Sequence, residues 1–315
     1  MHSHTHHDHG DDHHHHGHHH GHAHAHGPNN KKGLAIALII TSGIMVLEFV
    51  GGLITNSLAL LADSGHMLSD AGSLALSLVA MWFAMKPASP NKTYGFYRFE
   101  ILAALFNGAT LFLIAGFIVY EAYERLLSPP TVASGSMMLI AGIGLLANIA
   151  SVWALMRTSD VKGNVNVRSA YLHVIGDALG SVGAIVAGAI MYIWGWYTAD
   201  PIISVIVALL ILRSAWSVMK QAVHILMEGT PATIDADEVE RSLMQIVGVR
   251  DVHDLHVWTI TSGLDSLSCH LLIEDDKDSQ VILQEAIHII EERYKIKHTT
   301  IQVEKSELNH APMRV

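Results

Sequence analysis

The sequence predicts a polytopic α-helical membrane protein of six transmembrane helices, followed by a C-terminal soluble domain of the α+β class. Three observations predict it. Half of the 315 residues are hydrophobic and gather in long runs, whereas charged residues are only 15% of the chain and sit between those runs and near the C-terminus. The runs are long enough to cross a hydrocarbon core about 30 Å thick. Past residue 228 the pattern changes to short amphipathic segments of mixed period.

Residues 1–30 hold a tail with fifteen of the twenty-four histidines, interleaved with Gly, Ala and Asp. The tail has no apolar pattern to support a fold and is expected to be disordered and metal-collecting, since neutral imidazole suits Zn, Cu, Ni and Co. It does not have the basic start and short apolar core of a cleavable signal, so the first apolar run is expected to remain as a membrane helix.

The transmembrane region is expected over residues 31–227, with spans at 34–55, 57–84, 99–127, 135–157, 168–195 and 199–219. Asn56 and Ser57 alone join the first two. Trp194 to Asp200 joins the last two, with Pro201 suited to a first helical turn. Lys31, Lys32, Lys86, Lys92, Arg98, Arg157, Lys162, Arg168, Arg213 and Lys220 all fall on one side, and only Arg125 lies near the other. Basic residues accumulate in short cytoplasmic loops, so both termini are predicted to be cytoplasmic. A net charge of −10 argues against a nucleic-acid partner.

After Glu228-Gly229-Thr230-Pro231, residues 228–308 read as a soluble domain, with 309–315 a short tail. Val239, Leu243 and Ile246 mark a first helix, and residues 279–293 a second, with Ile282, Ala286 and Ile289 inward. Residues 250–260, 266–274 and 299–304 read as strands, the first two parted by Ser262-Gly263. The order αββαβ implies two layers. The single cysteine, Cys269, excludes an internal disulfide and fits a reducing compartment.

Two HxxxD tetrads inside apolar spans carry the chemistry: His66 with Asp70, and His173 with Asp177. Residues four apart share one helix face, so each tetrad projects an imidazole and a carboxylate together. An ionised carboxylate at mid-bilayer costs about 2.5–3.5 kcal/mol even on lenient scales, and two imidazoles with two carboxylates around a divalent cation sum to zero formal charge. Gly65, Gly72, Gly176 and Gly180 would let the helix backbones approach. Imidazole titrates near pH 6.5 in water, so protons compete with metal, and exchange of metal for protons by alternating access follows. A pair of polar contacts without metal is the plainer alternative.

Glu48, inside the first span, is a candidate accessory or proton-pathway group. Asp63, three residues before His66, serves either ion release or helix packing. Asn148 is expected to make a helix-packing hydrogen bond. Glu121, Glu124 and Asp200 lie near the outer surface, where they would attract cations without binding them specifically.

Three stretches carry a likeness: Asn56-Ser57-Leu58-Ala59-Leu60-Leu61-Ala62-Asp63-Ser64-Gly65-His66-Met67-Leu68-Ser69-Asp70, His173-Val174-Ile175-Gly176-Asp177, and Val252-His253-Asp254-Leu255-His256-Val257-Trp258. Through them the chain, from residue 33 to 304, resembles the cation diffusion facilitator family of six-span metal/proton antiporters. The resemblance implies a cytoplasmic ferredoxin-like domain, a homodimer, outward transport across the inner or plasma membrane, and a transport site of His66, Asp70, His173 and Asp177. It also implies Zn2+ as the transported and regulatory ion, because His rather than Asp opens the first tetrad; Cd2+ or Co2+ are further cargoes.

The same resemblance implies a second metal site in the cytoplasmic domain, at His253, His270, His298 and Glu304, with Gln302 where some members have a stronger ligand. Strand alternation supports only part of this. It sets His270 opposite Cys269 and puts Gln302 and Glu304 on one face, while each histidine alone is equally a solvated side chain. No site is expected in the loop from Lys86 to Phe99, which lacks His, Asp, Glu and Cys. Two other function classes stand beside the transporter: a membrane-bound metal sensor or store, and a membrane metallohydrolase. The second is disfavoured because there is no HExxH.

Overall fold

A computed structural model of the chain describes residues 30–84, 89–158 and 165–305. Most of the histidine tail and the last ten residues lie outside the described residues. Six long helices come first: α1 (Asn30–Thr55), α2 (Leu58–Ala84), α3 (Arg98–Leu127), α4 (Ser134–Thr158), α5 (Val165–Trp194) and α6 (Ala199–Leu226). Within them Arg98–Leu127, Asp177–Trp194 and Ala199–Leu226 are long and apolar enough to cross a membrane, and Ile39–Thr55 and Ser134–Ala150 are shorter apolar stretches. Helix α6 runs past its expected end at 219, because nothing between Arg213 and Leu226 breaks a helix and its polar end needs no hydrocarbon.

Small residues decide how these helices pack. Helix α3 buries Gly108, Ala115 and Ala122, and α6 buries Ala208, Ala215 and Ala222, each set spaced by seven, so the two seams face one another along their length. A Cβ on Gly108 would stand 3.4 Å from the Ala215 carbonyl and closer still to Met219, showing how near the backbones come. Helices α4 and α5 meet similarly at Gly188, beside Met138 and the Ser134 carbonyl. Large side chains such as Phe106, Leu113, Phe117, Leu139, Leu146 and Leu210 point outward and are exposed, as a lipid-facing surface requires.

One polar joint pins the end of the bundle remote from the C-terminal domain. Asp200, at the start of α6, is fully buried and accepts hydrogen bonds from Ser57 Oγ (2.7 Å), Leu58 N (2.7 Å) and Ala59 N (3.2 Å). It therefore caps α2 in trans, its charge opposite the helix dipole. Arg125 Nη1 lies 4.0 Å from Asp200 Oδ2 and donates to the Asn56 carbonyl at 2.7 Å, while its Nε donates to Glu121 at 2.9 Å. The expectation that Asp200 attracts cations at the outer surface is thus corrected, since it is buried in this joint, while Glu121 is partly exposed and pairs with Arg125. Hydrogen bonds to charged groups contribute about 1.5–3 kcal/mol each. Asp200→Ala is expected to cost about 3 kcal/mol or more, read as earlier thermal unfolding in detergent, whereas Glu124→Ala should leave the transition within a degree or so.

The C-terminal domain comprises α7 (Ala236–Met244), β1 (Val249–Thr261), β2 (Leu264–Ile273), α8 (Ser279–Tyr294) and β3 (His298–Glu304). The sheet order is β1-β2-β3, with β1 antiparallel to β2 and β2 parallel to β3. Asp235 and Asp278 cap the two helices by accepting from Asp237 N and Gln280 N. Gly263, at φ +75°, makes the β1–β2 turn. Val239, Leu243 and Ile246 meet Leu267, Cys269, Leu271 and Ile273 in one core. Helix α8 contributes Ile282, Ala286 and Ile290, so the fully buried third position is Ile290, with Ile289 at the margin.

Burial pushes the Cys269 thiol up to about 12. Since the thiolate is the reactive form and the metal ligand, this residue is core packing. Alkylation at pH 8.5 is expected to be at least about a hundredfold slower in the folded chain than after denaturation, as an unfolded cysteine is then half ionised. The domain is tied to the bundle by Arg98 Nη2 to Glu228 Oε1 at 2.8 Å and by Glu100, which accepts from Thr261 and Ser262 on the β1–β2 turn.

Candidate metal centre

Helices α2 and α5 bring one residue of each tetrad together. His66 Nε2 lies 3.5 Å from Asp177 Oδ1, the imidazole partly and the carboxylate mostly buried. Two ligands on a tetrahedral zinc with bonds of about 2.0–2.1 Å stand about 3.3 Å apart, so this spacing is that of one edge of a coordination tetrahedron.

The helices run antiparallel at this point. Ser181 Oγ donates to Asp63 Oδ2 at 3.3 Å, so a step toward the start of α2 is matched by a step toward the end of α5. The same register sets the backbone of Asp70, one turn beyond His66, level with that of His173, one turn before Asp177. The side chains of Asp70 and His173 lie outside the described residues. Asn107, on α3, donates to Ser69 Oγ at 3.0 Å and sits against Gly72, bracing α2 beside Asp70.

The accessory candidates lie next to this pair. Asp63 is buried against Gly180, whose absent Cβ would fall 2.4 Å from Asp63 Oδ1. Glu48 is 1% exposed, lies against Gly144, and has Asp63 and Asp177 as the acidic groups near enough to act on it. Ser181 and Asn107 were not singled out from the sequence. Ser181 is four residues past Asp177, hence on its helix face, and that spacing was the available signal.

A second cluster stands on the sheet face opposite the two helices of the C-terminal domain. His253 and His270 are directly paired across β1 and β2, and Leu272 is paired with Glu304 across β2 and β3. Ligand atoms of His253, His270 and Glu304 lie within 4.8 Å of one another. His270 Nδ1 is 2.9 Å from Glu304 Oε1, and His253 Nε2 is 3.5 Å from Glu304 Oε2. Glu304 itself is buried, and Gln302 Nε2 donates to its Oε1 at 2.8 Å. Asp251 Oδ2 lies 3.3 Å from His253 Nδ1, the arrangement by which an outer carboxylate orients a ligating imidazole.

A bulge at Asp254, with φ +50°, interrupts the β1 register just after His253. A buried carboxylate between two imidazoles suits a borderline-soft divalent ion and supplies three of its four ligands. The expectation for His298 is corrected here. It pairs with Ser266 at the far end of β3, about 20 Å along the strand from Glu304, and its ring rests edge-on against Tyr94.

Residues 34–227 match the family model described as the cation efflux transmembrane domain, and residues 231–306 match that of the cation efflux protein cytoplasmic domain. The chain is 50% identical over 284 residues to the cadmium, cobalt and zinc/H(+)-K(+) antiporter of Bacillus subtilis (strain 168), covering 89% of this chain and 91% of that protein. It is 44% identical over 277 residues to the zinc transporter ZitB of Escherichia coli (strain K12), covering 88% of each. Among solved structures it matches the metal-bound C-terminal domain of the CzcD transporter from Cupriavidus metallidurans at 35% identity, with TM-score 0.22, over 22% of this chain and 99% of that one.

Proposed function

Since this chain belongs to the cation diffusion facilitator family, whose members are integral-membrane metal exporters rather than enzymes, we propose that its own cargo is Zn2+, exchanged for protons by alternating access. The observation that supports this reading is the 3.5 Å approach of His66 to Asp177, one residue from each tetrad on two different helices. Asp70 and His173 complete a His2Asp2 shell that neutralises the ion. All six long helices cross the bilayer of the inner or plasma membrane, and both termini face the cytoplasm. Cytoplasmic zinc binds the deprotonated imidazoles. Reorientation of α2 and α5 exposes the site to the other side, where protons taken up by the ligands release the ion.

The cytoplasmic cluster, His253, His270 and Glu304, holds a regulatory Zn2+ whose fourth ligand is water or a group from a second copy. That assignment makes the chain a homodimer tightened by metal. A sensor or store would bind ions without moving them. Purified full-length chain in sealed proteoliposomes is expected to accumulate Zn2+, and Cd2+ or Co2+ more slowly, with Ni2+ weakest. Binding of these ions with no flux would replace the transporter reading by the sensor one.

A further inference from the structure

Two buried carboxylates beside the transport pair are more than that pair needs. With Asp70 and Asp177 already balancing a divalent ion, Glu48 and Asp63 add two more ionisable carboxyl groups to a region that tolerates few of them. Among the described residues neither oxygen of Glu48 has a hydrogen-bond partner, although the residue is 1% exposed. A lone buried ionisable group of this kind costs several kcal/mol unless something meets it.

The backbone makes room for these groups. A Cβ on Gly144 would lie 2.3 Å from Glu48 Oε1 and 3.4 Å from Ser181 Oγ, so both oxygens border one small space. A Cβ on Gly180 would lie 2.4 Å from Asp63 Oδ1, and Asp63 Oδ2 accepts from the same Ser181 hydroxyl at 3.3 Å. Four helices thus converge: α1 with Glu48, α2 with Asp63, α4 with Gly144 and α5 with Ser181 and Gly180. Asp63 precedes His66 and Ser181 follows Asp177, so the cluster is displaced about one helical turn, roughly 5 Å, toward the Asp200 joint and away from the C-terminal domain.

We propose that Glu48, Asp63 and Ser181 form a second, all-oxygen cation site that receives the divalent ion as it leaves the His66–Asp177 site. This deepens the transport reading and rests on it for direction. Two carboxylates match the charge of the ion. A set without imidazole favours hard ions such as Mn2+ and Mg2+ and holds Zn2+ less tightly than a histidine set does. Weaker binding on the exit side is what lets an ion pass on rather than stay.

Two measurements on the full-length chain test this. Mn2+ titrated into metal-free protein and counted by electron paramagnetic resonance is expected to show one site fewer in Glu48→Gln than in wild type, and His66→Ala is expected to keep that site. In proteoliposomes Glu48→Gln is expected to lower maximal zinc flux about tenfold while the half-saturating zinc concentration on the loading side changes less than threefold. If Glu48→Gln does not fold, Gly144→Ala carries the test, because its methyl group takes the place of the carboxylate oxygen and should also remove the Mn2+ site. An unchanged Mn2+ count in these variants overturns the proposal even if flux falls, since a merely structural carboxylate would slow transport without removing a site. Normal zinc flux in His66→Ala would instead remove the transport reading and leave the Mn2+ count to judge the site alone.

Discussion

Asp177→Ala is expected to lower zinc flux through the full-length chain at least a hundredfold, with thermal unfolding shifted by only a few degrees. Asp177 is mostly buried and its Oδ1 faces His66 Nε2 at 3.5 Å, so the variant leaves a divalent ion one negative charge short. Losing an outer partner of a metal ligand already costs about 10–100-fold in metal affinity, and losing the ligand with its charge costs more. Asp70→Ala should behave alike, because the antiparallel register puts its backbone at the level of His173. Asp177→Asn keeps the size and loses the charge, and it should fall close to Asp177→Ala. Rapid flux in Asp177→Asn would mean that charge balance is not the reason for the carboxylate.

Glu304→Ala is expected to abolish the protection that zinc gives the C-terminal domain. In the native chain the buried Glu304 carboxylate spans His253 and His270, at 3.5 and 2.9 Å, so its loss removes one ligand and the carboxylate that bridges the other two. A ligand at a hundred times its dissociation constant stabilises a fold by about 2.7 kcal/mol, several degrees for a domain of this size. Zinc should therefore raise the unfolding temperature of the wild-type domain within the full chain, and raise it by less than a degree in Glu304→Ala. His298→Ala should respond to zinc as wild type does, since that ring lies against Tyr94 rather than in the cluster.

Much of the fold is legible from local pattern. Long apolar runs give the six helices, alternation gives the three strands, and Asp at the two N-caps marks where the helices of the soluble domain begin. The tetrads are legible too, because the i,i+4 rule needs no tertiary knowledge. Features that depend on distant residues are less so. Asp200 reads as a surface acid, yet it is buried because the start of α2, 142 positions earlier, offers it two backbone N–H groups and a hydroxyl.

His298 illustrates the same limit in the sheet. The family resemblance puts it among the ligands, but the parallel register of β2 with β3 sets Gln302, not His298, beside His270. That register is fixed by which faces the core buries, and a strand alone does not reveal it. The seven-residue spacing of Gly and Ala on α3 and α6 was legible in principle. It is a packing signal that hydropathy, which counts apolar residues without regard to size, passes over.

The central claim is that zinc and protons exchange on the same side chains, and simultaneous recording of both fluxes tests it most directly. Proteoliposomes carrying an internal pH dye and an internal zinc dye, given external Zn2+ with no imposed gradient, should show protons leaving as zinc enters, with both signals lost together in a His66→Ala, Asp177→Ala double variant. Zinc entry at the wild-type rate in that double variant, or zinc entry in the wild type with no movement of protons, would contradict the account.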